Sequence, residues 1–290
     1  MSTAESELEP AAAAQDEGSN PAAAPGPQPG HALITGASSG IGAAIAREYA
    51  RRGKPLILTA RREDRLVALA DELGPLVPCT VLAADLADPG VPAAIFDQVT
   101  DIGLFVDTLV NNAGYGVTGH YLSKPWTTHA DFIQVMMTAP CELAHRFLPG
   151  MVERGRGRIM NVASLAGLVP GSAGHTLYGA SKAFLIRFSQ SLALEYADKG
   201  VHVSALCPGF TYSEFHDVTG TRDMVSKMSR RMWMKAEDVA RIGVEAVESG
   251  QIVCVTGRLN RAIKSMFKLL PDGTGLRIMQ KRARDFRSAD

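Results

Sequence analysis

Tyr178 and Lys182 stand four residues apart near the start of a predicted helix, so a phenol and an ammonium project from one face. An ordinary phenol loses its proton at about pH 10, too high for ready exchange at neutrality, and a neighbouring ammonium favours the phenolate and lowers that value. Ser164 lies 14 residues before Tyr178, in the run Asn161-Val162-Ala163-Ser164-Leu165-Ala166-Gly167, and adds a hydroxyl. Together these groups could hold a substrate oxygen and exchange a proton with it. A second chemistry-bearing run is Thr35-Gly36-Ala37-Ser38-Ser39-Gly40-Ile41-Gly42. Glycine has no Cβ, so such a run can turn sharply, let a pyrophosphate approach the backbone and seat a helix close to a sheet. The N–H groups and positive pole of that helix would face the phosphates.

Both sets of residues need a scaffold that brings distant segments together. Apolar runs predict strands over Ala32–Thr35, Pro55–Thr59, Val77–Ala83, Val106–Val110, Arg158–Val162, Val201–Leu206 and Ile252–Val255. Helical stretches alternate with them: from the glycine turn through Arg52, over Glu63–Leu73, in the 90s, over Leu177–Lys199 and over Ala236–Glu248. Pro125–Glu153 holds one long helix or two. Strict alternation implies an α/β fold: a Rossmann-like, doubly wound, parallel seven-stranded sheet with helices on both faces. Ligands of such sheets bind beyond the carboxyl ends of the strands, at the point where strand order reverses.

The Thr-Gly-x-x-x-Gly-x-Gly spacing resembles the cofactor turn of the short-chain dehydrogenase/reductase family, and other elements over about residues 31–257 resemble it too. The resemblance implies cofactor contacts at Gly36, Ser38, Ser39, Gly40, Ile41 and Gly42. Asn112, Ala113 and Gly114, in Asn111-Asn112-Ala113-Gly114, are similar to the family element that steadies the sheet and borders the adenosine. Asp85-Leu86 resembles the adenine-contacting pair, although Asp85 also suits a plain turn or helix cap. Pro208-Gly209 resembles the nicotinamide-side turn, with Thr211 just beyond it. Ser164, Tyr178 and Lys182 match the catalytic residues. By resemblance, Tyr178 is the general acid in reduction and the base in oxidation, Lys182 lowers its pKa and holds the nicotinamide ribose, and Ser164 positions the substrate oxygen.

One position departs from the family pattern. Met136, in Val135-Met136-Met137-Thr138-Ala139-Pro140, falls where a fourth active residue, an Asn, is usual. That substitution keeps open a second reading, a catalytically weak or inactive nucleotide-binding sensor or scaffold on the same fold. At the end of the second strand no Asp stands near Ala60; Arg61 and Arg62 follow, suited to a 2′-phosphate, which favours NADP(H) over NAD(H).

Composition narrows the remaining choices. The chain has 290 residues, equal numbers of acids and bases (30 each) and 46% hydrophobic residues, which fits a globular enzyme-sized domain without a general attraction to nucleic acid. Cys79, Cys141, Cys207 and Cys254 show no metal-ligand spacing, so no metal is expected, and they suit a reducing, cytoplasmic setting. Residues 1–29 are rich in Ala and Pro, carry five acids and no base, and read as a disordered tail. Residues 30–257 read as the Rossmann-like domain and 258–290 as a basic extension, with nine Lys or Arg against three Asp. In that extension Leu259, Ala262, Ile263, Met266, Phe267 and Leu270 share one helical face. Packing on the domain or on a neighbouring subunit is the favoured reading, and membrane-surface contact the less favoured one. By the same family resemblance, residues 210–233 are expected to form a flap over the substrate; Met224, Met228, Met232, Trp233 and Met234 make this region apolar, which suits either a hydrophobic carbonyl or alcohol substrate or ordinary packing. The family habit implies a homodimer or homotetramer through the long helices.

Overall fold

A computed structural model describes residues 30–212 and 230–283. The acidic tail, most of the expected flap and the last residues of the basic extension lie outside the described residues.

Seven parallel strands form one sheet in the order β3-β2-β1-β4-β5-β6-β9. They are β1 His31–Thr35, β2 Leu56–Ala60, β3 Cys79–Ala83, β4 Val106–Asn111, β5 Gly157–Val162, β6 Val201–Cys207 and β9 Val253–Val255. Both faces are covered, so adjacent strand residues enter different cores. Ile34, Leu56 and Leu58 join Ile45 of α1 (Gly40–Arg51), Leu66 of α2 (Glu63–Leu73) and Val244 of α7 (Ala236–Glu248). Their neighbours Leu33 and Ile57 point the other way, towards Ile95 of α3 (Val91–Asp101) and Leu143 and Phe147 of α5 (Ala139–Glu153). The seven expected strands are all present, and α2 and α7 have the expected ends.

The Pro125–Glu153 stretch resolves into two helices. α4 (Trp126–Ile133) is joined to α5 by a π-helical turn over Gln134–Thr138. Beyond β6, the short strand β7 (Phe210–Tyr212) pairs in parallel with β8 (Trp233–Lys235). The basic extension forms two helices, α8 (Arg258–Leu269) and α9 (Asp272–Ala283), separated at Pro271.

Strand order reverses between β1 and β4. The segments leaving the carboxyl ends of β1, β4, β5 and β6 are the glycine turn, Asn112–Gly114, Ser164 and Pro208–Gly209. The fold therefore gathers the sequence motifs at one end of the sheet, where a ligand of such a sheet binds.

Candidate active site

Thr35 ties the two sides of the crevice together. Its hydroxyl donates to the Val110 carbonyl (3.3 Å) and accepts from the backbone N–H groups of Asn112 (2.9 Å) and Ala113 (3.0 Å). Asn112 answers with its side-chain amide, donating to the carbonyls of Thr35 (2.9 Å) and Gly36 (3.2 Å). A deeper buried chain runs from β4 through β5 to α6 (Thr176–Tyr196). The Asn111 amide donates to Pro140 O and to Asn161 Oδ1, Asn161 donates to Ser189 Oγ (2.8 Å), and Ser189 donates to the Leu185 carbonyl. These bonds fix the strand ends that carry the site, because a buried amide left unpaired would be costly.

The glycine turn passes under the Asn112 loop. Gly36 has φ +66°, and a Cβ there would collide with the Ala113 backbone; a Cβ on Gly42 would strike the Gly36 carbonyl. Ser39 caps α1 without a side-chain capping bond, and the first turn holds no acid, so the positive pole of the helix is not neutralised there. From the end of β2, Arg62 reaches across to Ser38 Oγ (3.2 Å) and Ser39 Oγ (3.0 Å). A backbone cradle that only glycine permits, an open helix pole and a guanidinium beside two hydroxyls suit a phosphorylated nucleotide. Arg61 is exposed at the same edge. Asp85 is also exposed and accepts a turn bond from Ala87 N (3.0 Å), so its described contact is the plain turn role, while Leu86 is buried. Arg61 and Asp85 both act electrostatically on Tyr115, in opposite senses. Tyr115 escaped the sequence reading; its position one residue past Gly114 was the signal available.

Ser164, Tyr178 and Lys182 come together at the carboxyl end of β5. The Leu165–Leu168 turn after Ser164 lies flat on α6, where a Cβ on Gly167 would strike the Lys182 backbone. Ser164 accepts from Ala166 N (3.1 Å), and its hydroxyl hydrogen-bonds the Tyr178 phenol. Lys182 is buried, donates to the Val162 carbonyl (2.8 Å), and holds its ammonium 5.7 Å from the centre of the Tyr178 ring. Burial pushes the Tyr178 phenol above its ordinary pKa, with the Ser164 hydrogen bond pulling the other way. Burial also pushes the Lys182 ammonium down to about 8. Nζ faces a carbonyl and the ring, while desolvation governs both groups. Thr211 is buried and donates to the Gly209 carbonyl (3.1 Å), bracing the Pro208–Gly209 turn.

Met136 sits inside the π-helical turn, buried, with its sulfur against Gly114. The bend is thus made by the backbone with Met in place. Beside Tyr178 a cleft opens, lined by Val117, His120, Tyr121, Phe132 and Leu177. No group of metal ligands occurs among the described residues. The free cysteines divide into buried Cys207 and Cys254 and half-buried Cys79 and Cys141.

Comparison with known proteins extends the match beyond these motifs. Residues 30–223 fit the family model described as short chain dehydrogenase. The chain is 37% identical over 218 residues to sulfoacetaldehyde reductase 2 of Chromohalobacter salexigens, covering 72% of this chain and 85% of that protein. It is 30% identical over 265 residues to the very-long-chain 3-oxoacyl-CoA reductase of Anas platyrhynchos, covering 89% of this chain and 81% of that protein. Its fold superposes on a short-chain dehydrogenase from Sphingobium yanoikuyae solved in complex with NADPH, with a TM-score of 0.72 and 31% identity over 83% of this chain and 96% of that one. The family-model match over residues 30–223, together with relatives matched across most of their lengths, places this chain in the short chain dehydrogenase family.

Proposed function

We propose that this protein is an NADP(H)-dependent oxidoreductase that interconverts a ketone or aldehyde with the corresponding alcohol. The observation that carries the reading is the convergence of Tyr178, Ser164 and Lys182 at the sheet end that also bears the glycine cradle and Arg62. The nicotinamide supplies or accepts the hydride. In reduction, Tyr178 gives its phenolic proton to the developing alkoxide, and in oxidation it takes the proton back. Ser164 holds the substrate oxygen within reach of the phenol. The Lys182 ammonium supports the phenolate and holds the nicotinamide ribose. Gly36 to Gly42 and the amino end of α1 hold the pyrophosphate, and Arg61 and Arg62 hold the 2′-phosphate. Asn112–Gly114 with Asp85 and Leu86 border the adenosine, and Pro208, Gly209 and Thr211 border the nicotinamide. NADPH in the Sphingobium relative supports this cofactor choice. An aldehyde substrate and a long acyl substrate in the two named relatives support carbonyl reduction as the class and leave the substrate open. The same reading takes the protein to be a cytoplasmic homodimer or homotetramer assembled through α4, α5 and α6.

Met136 favours a second reading, a nucleotide-binding sensor without turnover. Titration with NADPH and NADH, followed by nicotinamide oxidation on a panel of aldehydes and ketones, separates the two. The enzyme reading predicts tighter NADPH binding, turnover on at least one apolar carbonyl, and a loss of about ten- to a hundredfold in NADPH affinity in Arg62→Ala with NADH little changed. Binding without turnover supports the sensor, and binding of neither nucleotide overturns both.

A further inference from the structure

The first helix of the basic extension, α8, divides its circumference into three arcs. Asn260, Ile263 and Phe267 face the domain. Asn260 is buried against Gly209, and the helix packs on the Leu165–Leu168 turn behind Ser164. A second arc carries Leu259, Met266 and Leu269, all exposed, Leu269 to 85%. The third carries Arg258, Arg261, Lys264 and Lys268. The next helix, α9, adds exposed Leu276 with Arg277 and Lys281, against the single acid Asp272. None of these six cations pairs with a carboxylate among the described residues. Leu122 and Trp126, 91% and 64% exposed, stand on the segment that borders the cleft beside Tyr178. The stripe expected to pack on the domain is therefore only half covered.

We propose that α8 and α9 dock on an anionic phospholipid bilayer. Leu259, Met266, Leu269 and Leu276 enter the headgroup boundary, and the flanking cations lie over lipid phosphates. Charge selects this occupant. A two-fold contact with a second copy would set the same uncompensated cations against each other, whereas an anionic leaflet attracts each of them. Because α8 is seated on the turn behind Ser164 and on Gly209, docking holds the cleft beside Tyr178 close to the lipid. The proposal stands without the oxidoreductase reading, since it rests on exposed apolar side chains and charge and not on turnover.

The test is sedimentation of the full-length protein with vesicles of phosphatidylcholine alone and of equal parts phosphatidylcholine and phosphatidylglycerol. The protein is expected to pellet with the mixed vesicles only, and to be released by high salt. Two double variants, Met266→Glu/Leu269→Glu and Lys268→Gln/Arg277→Gln, are each expected to bind at least about tenfold more weakly. Both are expected to keep the parent circular dichroism spectrum and melting temperature. No pelleting with anionic vesicles, equal pelleting with both compositions, or variants that pellet as the parent does would overturn the proposal. So would a self-associated species that the Glu variant dissociates in the absence of vesicle binding, which would assign the face to a second copy.

Discussion

Burial sets opposite tasks for Tyr178 and Lys182. It raises the phenol pKa, which keeps a proton available, and lowers the ammonium to about 8, which makes the supporting charge the first to go as pH rises. In the proposed reaction, reduction needs both the protonated phenol and the charged lysine. Above about pH 8 the neutral lysine no longer supports the phenolate that forms, while the phenol itself is still protonated. The expected profile of kcat/KM for NADPH, which reports the free protein, is therefore a decline with rising pH that begins near 8. A profile that stays flat into the ordinary phenol range would place the Lys182 charge outside the proton step. The serine at 164 adds the local counterweight, since its hydroxyl is the contact that draws the phenol pKa downward.

Among the elements, the link between β1 and the loop after β4 depends on one hydroxyl. Thr35→Val removes an acceptor shared by two backbone N–H groups and leaves both without that partner. The expected cost is about 1–3 kcal/mol, measurable as a lower urea midpoint, together with weaker nucleotide binding because Asn112 and the glycine turn move with the loop. An unchanged midpoint would show that the loop holds without Thr35. Elements of this kind were legible in the sequence to different degrees. The sheet was legible because strands covered on both faces are written as continuous apolar runs, as in Leu56-Ile57-Leu58. The β7–β8 pair was not, since three-residue strands carry no period to detect. The π-helical turn around Met136 also escaped notice, because the phase shift that one extra residue makes between α4 and α5 reads the same as a boundary between two helices. The Asn111–Asn161–Ser189 chain required knowing which strands are neighbours. The Ser164–Tyr178–Lys182 cluster could be read from spacing. The desolvation that governs its pKa values could not, because it depends on what packs around it.

For the whole molecule, a net charge of zero conceals a division between an acidic beginning and a basic end. The basic end is attached to the half of the sheet that carries the chemistry, where α8 rests on the turns beside Ser164 and Gly209. Periodicity located the apolar stripe of this helix. It could not say which part of the stripe the domain covers, since that follows from how α8 is tilted onto the Leu165–Leu168 turn. The sheet order places every chemistry-bearing loop at one edge of the molecule, so cofactor, substrate and lipid surface would meet on a single side. The central claim is that Tyr178 delivers the proton, and turnover of Tyr178→Phe with saturating NADPH tests it most directly. Phe keeps the ring that packs beside Lys182 and removes only the hydroxyl. The account predicts unchanged NADPH affinity and a fall in kcat of about a hundred- to ten-thousandfold. A variant that binds NADPH normally and reduces its carbonyl at the parent rate would contradict it.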